Sequence, residues 1–222
     1  MINITKVSLI QEVRAIHAIS ELKIKINIDV SDEHKFNLLK YHFDMNYSLG
    51  LQDGLDIFDV IEIDHSKPLT SIFSITKPLI FPKVITDYLK QRWPKSRKYE
   101  FGFSGLITSE REDVIEKWLL AANHRPSILK HETISFKIKR KLFLKLNIRK
   151  PLIKKFGKLF ISSSNRGRIF PGKSWDDNYY NFLLRSKFIL CPSGIYIWTY
   201  RFFESILCGA IPVVEKSAPC YN

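Results

Sequence analysis

A chain of 222 residues, 45% hydrophobic and 13% aromatic, has the composition of a folded globular protein rather than of a disordered one, and it can bury one sizeable core or two small ones. Its 35 Lys and Arg against 22 Asp and Glu leave a formal charge of +13, which points to acidic partners (nucleotide phosphates, an anionic membrane or nucleic acid) without choosing among them. The three cysteines, Cys191, Cys208 and Cys220, lack C-x-x-C spacing, and the six histidines show no ligand spacing, so neither a disulfide framework nor a zinc centre is expected.

The N-terminus, MINITKVSLIQEVR, is broken by charge before any signal-like apolar core develops. No apolar run approaches the roughly 18 residues of a spanning helix, and the chain reads as cytoplasmic. Residues 7–19 carry a helical pattern, 22–30 alternate as a strand, and 56–64, DIFDVIEID, hold a second strand. Pro68, Pro78 and Pro82 then interrupt the chain, and Pro94 stops an amphipathic segment over 84–93. Glu62 and Asp64, one residue apart at a strand end, have metal-ligand spacing. Alternation along a half-buried strand places two acids on one face without any metal, and no metal is expected. Residues 1–97 are read as an α/β N-terminal lobe, smaller than a full acceptor-side domain.

Residues 99–105 predict a strand ending in Ser104-Gly105, and Ser109 opens a helix with acids in its first turn. A strand, a glycine loop and a helix begin a Rossmann-like lobe, read as 98–222, in which Gly105 would let the backbone approach a ligand. The stretch 137–158 has basic residues throughout and no Asp or Glu, interleaved with apolar ones. It suits an anionic membrane surface, or it is a domain helix with a solvated face. Residues 159–161 return as a short strand. The polar loop that follows puts Arg166, Arg168 and Lys173 ahead of a helix over 176–185, as cations on a crevice loop or as surface charge.

The segment 186–214, SKFILCPSGIYIWTYRFFESILCGAIPVV, reads as strand, glycine turn, helix, glycine stop and strand. Thr199 offers the N-cap oxygen, Gly209 ends the helix, and Trp198 and Phe203 are spaced as a hydrophobic staple. Phe203, Ile206, Leu207 and Ala210 fall at core spacing, with Arg201, Glu204, Ser205 and Cys208 as a polar stripe on the other face. A helix N-terminus after a strand and a glycine loop favours phosphate, Arg201 adds forked donors, and Glu204 can accept from vicinal hydroxyls such as those of a ribose. Together they describe a nucleoside-diphosphate pocket, unless Arg201 and Glu204 are merely a solvated helix pair.

The line Tyr179-Tyr180, Leu183-Leu184, Ser186-Lys187-Phe188, Leu190, Pro192, Gly194, Arg201-Phe202, Glu204-Ser205, Gly209 and Ile211-Pro212-Val213 resembles the C-terminal signature of exostosin-like glycosyltransferases. The resemblance covers about the last third of the chain and, more weakly, residues 93–111. It implies a GT-B-like α/β fold of two Rossmann-like lobes, the C-terminal one parallel-stranded and shortened, since few residues follow Val214. It implies transfer of a sugar from a nucleotide-sugar donor to a glycan acceptor, with no cofactor and no metal. Glu204 would bind the donor ribose and Arg201 the leaving diphosphate, alongside Ser193, Gly194, Tyr200, Gly105, Arg111, Arg168 and Lys173. Ser193 stands where the family often has an arginine. The acceptor's proton would go to a carboxylate of the N-terminal lobe, among Asp53, Asp56, Asp59 and Asp64. The alternatives are a non-catalytic nucleotide-binding remnant of that fold, or a basic protein on anionic membrane or nucleic acid.

Overall fold

The computed structural model describes residues 2–4, 7, 10–51, 81–105, 107–121, 123, 138, 142, 146, 153–163, 175–193 and 199–217. The chain forms two compact units, Met1–Gln91 with Arg166–Asp176, and Arg92–Asn165 with Asp177–Asn222. The division thus falls a little before the 97/98 boundary read from the sequence, and a short return segment joins the first unit.

In the first unit, β1 (Ile2–Ile4), β2 (Ile26–Ile28) and β3 (Ser48–Leu49) form a parallel sheet in the order β1-β2-β3. Parallel neighbours need a crossover, and helices α1 (Ile10–Ser20) and α2 (Glu33–His42) supply them. Val13, Ile16, Ile26, Ile28, Phe36 and Leu39 are buried, which is the amphipathic spacing of each element turned toward one core. Two carboxylates tie the connections: Asp32 accepts the Val7 N–H at 2.9 Å and pairs with Lys35. Glu21, just past α1, accepts the N–H groups of Lys83 and Val84 at 2.8 Å each, satisfying the N-terminal donors of α3 (Lys83–Gln91). Trp175, almost fully buried, receives Phe43 edge-on at 4.7 Å and Tyr88 at 5.4 Å between ring centroids. The sequence reading anticipated α1, β2 and α3 but not β1, α2 or β3.

His17 on α1 is fully buried, and desolvation holds its imidazole below the ordinary value of 6.5 against the opposing charge of Glu21. A folded-state value below the unfolded one means that the unfolded chain binds the extra proton first. Stability is therefore complete above pH 6.5 and is lost as the pH falls through the folded-state value. Urea midpoints measured from neutral to acid pH should fall below that point, and His17→Gln should flatten the part of the slope due to this group. An identical slope in the variant would put the acid sensitivity elsewhere.

In the second unit, β5 (Ile153–Phe156), β6 (Leu159–Ser163), β4 (Tyr99–Gly105), β7 (Ser186–Leu190) and β8 (Ile211–Val213) form one sheet in the order β5-β6-β4-β7-β8. Only the β5–β6 hairpin is antiparallel. Helices α4 (Ser109–Ala121), α5 (Asp177–Leu184) and α6 (Tyr200–Leu207) complete a Rossmann-like α/β unit. Phe103, Ile115, Leu119, Leu159, Ile161 and Leu190 make its core. β4, α4, α5, β7, α6 and β8 fall within a residue or two of where the sequence places them. β5 does not: residues 153–156 lie in the basic stretch read as membrane-facing or helical, and they pair instead as an edge strand whose lysines suit that position. Chain order runs from β4 out to β6 and then back across β4 to β7, so direction reverses at the carboxyl ends of β4 and β7, the point where doubly wound sheets open a crevice for ligands.

Candidate functional site

Both ends of α6 are fixed by named groups. At its start the Thr199 hydroxyl accepts the Arg201 N–H at 3.4 Å. At its end Gly209 takes φ +67 and donates to the Ile206 carbonyl at 2.8 Å, the left-handed stop that the sequence anticipated. Arg97 donates to the carbonyls of Leu184, Ser186 and Cys208 at 2.9, 2.8 and 3.0 Å, and Trp93 Nε1 donates to Leu207 at 2.9 Å. A cation and an indole thus satisfy the last carbonyls of α6 and tie them to the start of β7, which aims the helix N-terminus at the carboxyl end of the sheet.

The helix is rotated relative to its hydrophobic pattern. The sequence assigned Phe203, Ile206 and Leu207 to the core and Arg201, Glu204, Ser205 and Cys208 to the polar face. In the structure Arg201 is 7% exposed, Glu204 5%, Ser205 and Cys208 0%, while Ile206 is 48% exposed. Of the expected core face only Ala210, beyond the helix, is buried. Burying two ionisable groups in place of available apolar ones costs stability, so the solvated-pair reading of Arg201 and Glu204 is excluded.

Arg201 lies across the end of β4. Its Nε donates to the Ser104 carbonyl at 2.7 Å, and its guanidinium carbon stands 4.5 Å from the centroid of the Phe103 ring. Among the described residues its buried Nη1 meets no hydrogen-bond partner. Gly105 adopts φ +151, and a Cβ there would fall 2.2 Å from Arg201 Nη2. The bare backbone expected to admit a ligand admits the guanidinium instead.

Glu204 accepts from the Tyr179 hydroxyl at 2.5 Å and from that of Tyr180 at 3.4 Å, one on each carboxylate oxygen. Burial, and then the Glu204 charge, raise the Tyr179 phenol well above its ordinary 10.0, so it stays a donor. Ser205 donates to the Arg201 carbonyl at 2.5 Å, and its hydroxyl lies 3.9 Å from the Cys191 sulfur. Burial pushes the Cys191 thiol up to about 12 against the pull of Arg201, and raises Cys208 too, so both are inert and neutral, as expected of small buried side chains.

Of the other site residues read from the sequence, Ser193 follows β7, and its N–H donates to Glu215 Oε2 at 2.8 Å. Tyr200 is the first residue of α6, and Arg111 is half-buried on α4. Gly194, Arg166, Arg168, Lys173, Trp198 and Cys220, with Glu62, Asp53, Asp56, Asp59 and Asp64, lie outside the described residues. Sequence reasoning missed the roles of Phe103, Ser104, Tyr179, Tyr180 and Arg97. Only the tyrosine pair left a signal, at the head of the family signature.

Residues 157–221, which include β7, α6 and β8, match the family model of the RXYLT1 C-terminal domain. This segment is similar to an exostosin-like glycosyltransferase domain. No curated protein and no solved structure matches the chain. The matched segment contributes Arg201, Glu204, Tyr179 and Tyr180, whereas Phe103, Ser104 and Gly105, against which Arg201 packs, come from β4 ahead of it. The match supports the exostosin-like resemblance and points to glycosyltransferase family membership.

Proposed function

We propose that the protein is an exostosin-like, GT-B-type glycosyltransferase that binds a nucleotide-sugar donor at the carboxyl ends of β4 and β7. One observation carries this reading: α6 buries Arg201 and Glu204 where its pattern would bury Phe203 and Ile206, and among the described residues Arg201 Nη1 meets no hydrogen-bond partner. A donor diphosphate satisfies that nitrogen, and the α6 N-terminal amides face the same charge. As the bond from sugar to phosphate breaks, negative charge grows on the leaving diphosphate. The guanidinium, fixed beforehand by Ser104 and Phe103, stabilises it without a bound metal. Glu204, oriented by the two tyrosine hydroxyls, accepts from the donor ribose. A general base takes the acceptor proton as the new glycosidic bond forms.

Thermal-shift measurements with UDP, GDP, CMP and their sugars should show stabilisation by at least one nucleoside diphosphate, since a ligand at a hundred times its Kd adds about 2.7 kcal/mol. The stabilising nucleotide's sugar should then be hydrolysed slowly, or transferred when an acceptor glycan is supplied. Binding without turnover across an acceptor panel would leave a nucleotide-binding protein that is not an enzyme. No shift with any nucleotide would end the donor reading.

A further inference from the structure

We propose that the first unit carries a second site, for a neutral saccharide chain, at the amino ends of its strands. A cavity of about 790 Å³ opens there, lined wholly by residues of Met1–Gln91. Its position follows from the topology. α1 and α2 return the chain to the amino ends of β2 and β3, so the turns after them gather at the edge of the sheet opposite to the one where α/β units take ligands.

Its lining has two parts. One wall is aromatic: His42, Phe43 and Tyr88, the last two crossed edge to face at 84° with ring centroids 5.1 Å apart. Trp175 packs behind Phe43 and Tyr88 and fixes both, while the His42 and Tyr88 rings remain half-exposed. The rim is polar and exposed: Lys23, Asp44, Asn46 and Gln91. The charges at the α3 end are already engaged, since Lys83 pairs with Asp87 and Glu21 caps the helix. What remains is a rigid ring wall beside one carboxylate, one ammonium and two amides.

A pyranose fits this chemistry, with its C–H face against a ring and its adjacent hydroxyls donating to a carboxylate or exchanging two bonds with an amide. An anionic glycan would meet Asp44 and a cationic one Lys23, so the opposite charges favour a neutral chain. An apolar ligand would leave the rim groups unpaired, which is costly once they are desolvated. The site goes beyond the donor pocket, and its ligand class follows from the lining alone. Its use in glycosyl transfer, as a holding site for an acceptor chain, rests on the proposed function.

Saturation-transfer NMR on the full chain with maltotetraose, xylotetraose and chitotetraose tests it, with UDP added in parallel. At least one tetrasaccharide should receive saturation and keep it under excess UDP, with affinity falling roughly tenfold in Asp44→Ala and in Gln91→Ala. Both side chains are exposed, so the variants should keep the wild-type circular dichroism, which Tyr88→Ala, packed on Trp175, need not. No transfer to any of the three at millimolar concentration overturns the proposal. So does binding that ignores both substitutions, or that UDP abolishes, which would seat the sugar in the nucleotide pocket. Saccharide binding without any nucleotide binding would sink the donor reading and leave this site standing.

Discussion

Gly105→Ala should cost the protein both its nucleotide binding and about 10 °C or more of melting temperature, although it adds a single methyl group. Gly105 sits at φ +151, where an L side chain is strained by about 1–3 kcal/mol. The added Cβ also falls 2.2 Å from Arg201 Nη2 and within 3.3 Å of the guanidinium carbon. The Arg201 head must therefore move, breaking its 2.7 Å bond to the Ser104 carbonyl, a charged hydrogen bond of about 1.5–3 kcal/mol. It cannot leave for water without unpacking the α6 face beside it, where Ser205 and Glu204 are buried. Gly50→Ala is the control: φ there is +91 with nothing within 4 Å of the added atom, so it carries the strain and no collision. Scanning fluorimetry and titration with UDP read both effects. If Gly105→Ala behaves like Gly50→Ala, the close approach of strand to guanidinium is not what places Arg201.

Glu204→Gln is expected to weaken nucleotide binding by about 1.5–3 kcal/mol, tenfold or more. The amide keeps the shape and loses the charge that strengthens the bonds from the ribose and from Tyr179. An amide also presents one acceptor oxygen where the carboxylate presents two, so it cannot receive Tyr179 and Tyr180 on separate oxygens as Glu204 does. A second readout comes from the phenol itself. The Glu204 charge helps to raise Tyr179, so in the variant its ionisation, followed by ultraviolet absorbance, should begin at lower pH. Nucleotide affinity and phenol titration both unchanged would mean that the carboxylate neither orients the tyrosines nor meets the ligand.

How much of this was legible in the sequence differs element by element. The stretch 186–214 was readable because its punctuation is local: Thr199 caps, Gly209 stops, and the flanking strands are short apolar runs. β4 and α4 were readable for the same reason, through Ser104-Gly105 and the acids of the first helical turn. The orientation of α6 was not, because hydrophobic periodicity assigns the apolar face to the core, and here the buried environment is polar. Two tyrosine hydroxyls, a strand carbonyl and an aromatic face receive the charged side chains, and all four partners lie on other elements, α5 and β4. Arg97 and Trp93 read as linker residues for a similar reason, since the carbonyls that they satisfy are supplied by α5, β7 and the end of α6. β5 was hidden by its lysines. Ile138, Leu142 and Leu146 of the same basic stretch are exposed. The cavity of the first unit had no signature, because its lining comes from turns after α1 and α2 and from one face of α3.

The central claim is that Arg201 is a buried cation waiting for a diphosphate. Calorimetric titration of the wild type and of Arg201→Gln with UDP, UMP, GDP and GMP tests it most directly. For the nucleoside that binds, the wild type should prefer the diphosphate over the monophosphate by roughly tenfold or more, since a charged bond to a phosphate contributes about 1.5–3 kcal/mol. The preference should vanish in Arg201→Gln while monophosphate affinity changes little. Equal affinities for both forms in the wild type, or the same preference in an Arg201→Gln variant with native circular dichroism, would contradict the account.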